Sequence, residues 1–168
     1  EAATEAEHSH EEDAGAVLVF TDYTDVSELF VEFPPLVVGQ TSTFAAHVTR
    51  LSDHAPVTAG MLDVVLETDA GEAVARFRVR STARDGLFTP GVAPRDPGEF
   101  RLAVEITTDE FSTRHELGTV TVFSDPASAV ANNPAPEGEI TYLKEQQWQG
   151  QFATEAVRPR PVRASYPG

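Results

Sequence analysis

From residue 41 onward the chain alternates apolar and polar positions with a period of two. In residues 41–49, Phe44, Ala46 and Val48 fall on one side while Thr43, Ala45, His47 and Thr49 fall on the other, so His47 is expected to face away from the core. Leu62, Val64 and Leu66 form the next apolar set, and Ala73, Ala75, Phe77 and Val79 the one after it. The turn chemistry of Thr68-Asp69-Ala70-Gly71 between them predicts a hairpin. Phe100, Leu102, Val104 and Ile106 repeat the pattern after the turn residues Asp96-Pro97-Gly98, and 113–123 is a further β-rich run. With 29–33 and 87–92 this makes about seven short strands, spaced as in an antiparallel sandwich, and no long helical period is present to cover a parallel sheet. The expected fold class is all-β: an immunoglobulin-like antiparallel β-sandwich over residues 16–124.

The hairpin carries charge on its other face, with Arg76, Arg78 and Arg80 on one strand and Asp63 and Glu67 on its partner. A four-residue loop sets Asp63 opposite Arg76 and Val65 opposite Val74, so the hairpin neutralises itself. It also sets Glu67 against Glu72, which is unfavourable.

The flanks read differently. Residues 1–15 are an acidic, His-containing tail with nothing larger than Ala to bury, expected to be flexible. Residues 125–138, rich in Pro, Ala, Asn and Ser, read as a linker. In 139–150, Ile140, Leu143 and Gln147 share one helical stripe with Trp148 beside it and Gly150 after it, predicting a short helix that packs through Trp148. Residues 151–168 alternate only loosely and read as an extended tail, the start of a further domain.

Charge narrows the function classes. Twelve basic against 27 acidic residues give a net charge of −15 in 168 residues, which disfavours nucleic acid and anionic membrane surfaces as partners. No run approaches the roughly 20 apolar residues that cross a bilayer, so direct membrane insertion is not expected. The chain has no cysteine, hence neither disulfide nor thiolate chemistry. Nucleophile-elbow, phosphate-loop, dinucleotide, zincin and EF-hand motifs are all missing, and no enzymatic activity or required cofactor is expected. The one cluster with metal-ligand chemistry is His8, His10, Glu11 and Glu12, where imidazole and carboxylate together suit Zn, Ni, Co or Cu(II). A flexible tail must be ordered to bind, so its affinity is expected to be weak. His47, His54 and His115 are too scattered along the chain to define a site.

Three segments resemble a known family. Leu29-Phe-Val-Glu-Phe-Pro-Pro-Leu-Val-Val-Gly-Gln40, Phe44-Ala-Ala-His-Val-Thr-Arg-Leu51, and Ile140-Thr-Tyr-Leu-Lys-Glu-Gln-Gln-Trp148 with Phe152-Ala-Thr-Glu155 look like periplasmic adaptor subunits. These are the membrane fusion proteins of RND-type heavy-metal and cation efflux systems. The resemblance runs from about residue 17 to the end and is most specific around Leu143–Trp148. It implies an N-terminal adaptor module in the periplasm, inner-membrane-associated through the full-length protein, with an inner-membrane RND pump and an outer-membrane channel as partners. The rival reading is a stand-alone periplasmic metal-binding sandwich that carries a cation.

Calorimetric titration of Zn, Ni, Co and Cu(II) tests the tail. Weak binding is expected from the whole chain and none from a version beginning at Ala14; equal, tight binding by both would place the site in the sandwich.

Overall fold

The computed structural model describes residues 17–133. The candidate ligands His8, His10, Glu11 and Glu12, and the expectations for 139–150 and 151–168, lie outside the described residues. The elements are β1 (Leu18–Tyr23), β2 (Ser27–Phe33), β3 (Leu36–Val37), β4 (Ser42–Thr43), β5 (Ala45–Arg50), β6 (Met61–Glu67), β7 (Ala73–Val79), β8 (Leu87–Phe88), β9 (Gly91–Val92), β10 (Gly98–Thr107), β11 (Ser112–Phe123) and α1 (Pro126–Asn132).

Two sheets form the sandwich, one ordered β1-β2-β5-β8 and the other β3-β11-β10-β6-β7, with β4 and β9 as a small pair beside them. All ladders are antiparallel except β3 with β11. This is the immunoglobulin-like arrangement: one segment starts in the first sheet, crosses over, and runs parallel to the last strand in the second. Pro34 and Pro35 make the crossover, because neither has an N–H for a ladder and so β2 must end at Phe33. The corner is tied by the Ser42 hydroxyl, which donates to the Pro34 carbonyl at 2.7 Å.

The core is the set the alternation predicts. Leu29, Val31 and Phe33 from β2, Phe44, Ala46 and Val48, Leu62, Val64 and Leu66, and Leu102, Val104 and Ile106 form one buried cluster. Phe33 lies between two parallel rings, Phe44 at 3.8 Å and Phe20 at 5.8 Å between centroids, binding β1, β2 and the start of β5 through one stack. In β11, His115 and Leu117 face inward and so do Val120 and Val122, a phase that simple alternation does not allow. A bulge resolves it: the register shifts between Leu102 and Ala103, and Gly118 sits at φ 90°, where a side chain would be strained.

Three expectations change. The hairpin of β6 and β7 exists, but Asp63 opposes Arg78, Val65 opposes Arg76 and Glu67 opposes Ala73 across a bulge. The loop therefore runs from Thr68 to Glu72, and the anticipated clash of Glu67 with Glu72 does not arise. Within 125–138, expected as linker, residues 126–132 are helical. Asp125 is an N-cap whose carboxylate accepts from the Ser128 N–H at 2.9 Å, Pro126 opens the helix, and Ala129 is buried. That hydrogen bond holds the Asp125 carboxyl below its usual range. The same Pro, Ser and Ala that read as linker also write a helix start.

His47 does point away from the core, yet it is only 5% exposed. Its neighbours in register are Phe30 and Leu87, and the Phe30 ring lies 5.7 Å away, tilted by 52°. Facing outward is not the same as being solvated when large side chains flank the position. His47→Ala is expected to cost about 1–2 kcal/mol in urea unfolding, beyond the roughly 0.5 kcal/mol of an open surface site. An unchanged midpoint would show that the ring contributes no packing.

Candidate functional site

Between the two sheets, at the margin of the apolar core, lies a polar cluster whose aspartate, Asp22, is about one-third exposed (34%). His115 on β11 is fully buried, with Nδ1 at 3.0 Å from Asp22 Oδ2 on β1 and Nε2 at 2.9 Å from Ser27 Oγ at the start of β2. A carboxylate can only accept, so Nδ1–H donates to Asp22, and the remaining nitrogen of the neutral ring accepts from the Ser27 hydroxyl. The turn joining β1 to β2 is built to present these groups. The Thr24 N–H donates to the Ser27 carbonyl at 2.9 Å, the Ser27 N–H donates to Thr24 Oγ1 at 3.2 Å, and the Thr113 hydroxyl on β11 donates to Thr24 Oγ1 at 3.0 Å.

Hydroxyl, imidazole and carboxylate here follow the connectivity of a Ser-His-Asp triad. Access differs, because Ser27 has no exposed surface and the Oγ faces the opposing sheet. In this conformation a substrate carbonyl has no path to it. What the arrangement does is physical: it satisfies a buried histidine at both nitrogens and joins the two sheets across their interior. Burial lowers the His115 pKa, with the hydrogen bond and charge of Asp22 working the other way.

A second cluster covers the outer face of the five-stranded sheet. Asp63 and Glu105 lie directly opposite each other, a like-charge pair that is unfavourable alone. Arg76 bonds both carboxylates, and Arg78 grips Asp63 with two bonds of 2.7 Å. Arg114 reaches Glu67 at 2.8 Å and both Glu105 and Glu116 at 2.6 Å. Arg78 and Arg76 respectively are the main cause of the depressed Asp63 and Glu105 pKa values. The self-neutralising hairpin is therefore present, extended over four strands. Its arginines are committed to carboxylates of the same face rather than to a ladder for outside anions.

At one end of the sandwich a cleft of about 370 Å³ opens where the β5–β6 and β10–β11 loops meet, bordered by Arg50, Arg80, Glu110 and Phe111. Arg50 is held by Asp53 at 2.7 and 2.9 Å and by Glu110 at 2.6 Å, and its guanidinium pulls the Asp53 carboxyl down to about 2. The cleft does not reach Ser27 or His115.

The three described histidines are not brought together. His47 lies on the outer face of the first sheet, His54 in the β5–β6 loop at φ 57°, and His115 between the sheets. Among the described residues no group of three or more His, Asp or Glu side chains is arranged to hold a metal ion. Sequence reading missed the Asp22–His115–Ser27 cluster; the available signal was an aspartate in the inward phase set by Leu18 and Phe20.

No family model and no curated protein matches the chain. Among solved structures it is similar to the CARDB domain of the PF1109 protein of Pyrococcus furiosus, crystallised in complex with di-metal ions. The two share 17% identity at a TM-score of 0.36, over 61% of this chain and 99% of that one. What the sheets define is a class: an all-β, immunoglobulin-like sandwich.

The buried histidine gives stability a pH dependence of known sign. The folded-state pKa of His115 lies below the unfolded value of about 6.5, so its contribution is complete above that value and is lost as pH falls through the folded one. Urea midpoints are expected to fall between about pH 7 and pH 5, and His115→Gln should flatten the profile across that window while lowering it throughout. Parallel profiles would mean that His115 does not carry the effect.

Proposed function

We propose that this chain is a binding and structural module without a reaction of its own, the N-terminal sandwich of a periplasmic adaptor in an RND-type heavy-metal or cation efflux system. One observation carries the reading: the two segments behind the family resemblance that lie among the described residues are used to close the sandwich. Leu29–Gln40 supplies β2, the Pro34-Pro35 crossover and β3, and Phe44–Leu51 supplies β5 with the Phe44 ring against Phe33. The triad-like residues are likewise used to join sheets, which supports a scaffold role over catalysis. In the whole adaptor the inner-membrane pump and the outer-membrane channel would be the partners. The tail of His8, His10, Glu11 and Glu12 would scavenge divalent cations weakly.

Sequencing the gene across the codon for Gly168 tests this directly. The reading frame is expected to continue into a lipoyl-like domain and a helical hairpin. A stop codon at that point, coupled with tight metal binding, would overturn it in favour of a stand-alone carrier.

A further inference from the structure

The sandwich has an open seam where its first and last strands meet. β1 is the edge of the first sheet, and β3 pairs with β11 only at Val122 and Phe123, so the preceding part of β11 has no strand on its outer side among the described residues. A groove of about 300 Å³ lies along this seam, lined by Leu18 and Phe20 of β1, Val120 and Phe123 of β11, and Asn132 and Asn133 at the end of α1. The four apolar side chains are in the groove without filling it.

The chain itself leaves from this groove. Asn133 caps α1, its N–H donating to the Ala129 and Val130 carbonyls at 3.1 and 3.3 Å. Pro134 and Pro136 follow, and neither supplies the N–H that would prolong the helix. Among the next large apolar residues are Ile140 and Leu143, spaced for one helical stripe, and Trp148 beside that stripe. From Asn133 to Ile140 the chain can extend up to about 25 Å, far more than is needed to return to a groove that Asn133 already borders. The intervening stretch Pro134–Glu139 has no side chain large enough to compete for the site.

We infer that the seam between β1 and β11 is the seat of this chain's own Ile140, Leu143 and Trp148. Those side chains complete the core at the edge that the strands leave open, and they fix the start of whatever follows against the sandwich. This rests on the groove and on chain continuity, independently of the adaptor reading.

The chain's lack of cysteine and its single tryptophan make the test clean. Thr119 is exposed on the groove's rim, and Ser81 is exposed beyond the far edge strand β7, so neither cysteine substitution threatens the fold. In the full chain, Thr119→Cys combined with Gln147→Cys should form an intramolecular disulfide several-fold faster than Ser81→Cys combined with Gln147→Cys. The difference should vanish in concentrated guanidinium. Trp148 emission in the unsubstituted chain should be at shorter wavelength than in guanidinium and several-fold less quenched by acrylamide. Equal rates for the two pairs, or solvent-like Trp148 emission, would overturn the inference. Disulfides forming only between molecules would overturn it too, assigning the groove to a second copy.

Discussion

A histidine without exposed surface, set between two apolar layers, needs a partner at each ring nitrogen, because an unmet buried donor or acceptor costs about 1–3 kcal/mol. His115 finds both partners on the opposite sheet, at Asp22 and Ser27. Much of the architecture follows from that. The β1–β2 turn must hold Asp22 and Ser27 on one side, which the Thr24 hydroxyl helps to arrange by bonding both the N–H and the carbonyl of Ser27. The two sheets must also keep their alignment, since an apolar interface alone resists sliding weakly, while hydrogen bonds of fixed geometry resist it well. The Phe20–Phe33–Phe44 stack secures the apolar side of the same alignment.

The parts legible in the sequence were those whose information is local. β6, β10 and β5 carry strict alternation, and their inward residues are the ones expected. The β6–β7 register was out by two because the loop is one residue longer than expected and a bulge between Leu66 and Glu67 adds a second, and nothing in Thr68–Gly71 announces either. β1 escaped notice because Asp22 occupies an inward position that an apolar residue would normally mark. The Asp22–His115 and Ser27–His115 bonds join residues 93 and 88 apart, so no window of sequence contains both ends. α1 was hidden by composition, since an N-cap aspartate followed by Pro and small residues is written in the vocabulary of a linker.

Net charge conceals a division of labour. The chain is strongly acidic, yet on the outer face of the five-stranded sheet Arg76, Arg78, Arg101 and Arg114 are matched to Asp63, Glu67, Glu105 and Glu116. That face is close to neutral, so the surplus of acid lies elsewhere. Because most of these pairs are partly open to water, their worth is modest and salt-sensitive. Their more distinctive effect is on specificity of pairing: Arg76 and Arg78 stand on the sheet's edge strand, where exposed charge discourages the addition of a foreign strand.

The bulge at Gly118 divides β11 into two working halves. Strict alternation from Leu117 would turn Thr119 and Thr121 inward, so the extra residue is what keeps Val120 and Val122 on the core side. The bulge also adds local twist. The half before it aims His115 and Thr113 at the β1–β2 turn, and the half after it runs alongside Leu36 and Val37 beyond the proline corner. One strand thereby meets the first sheet with its side chains and β3 with its backbone, two directions that an evenly twisted ribbon would not serve at once. The glycine acts as a fixed change of bearing, set into the strand that closes the fold.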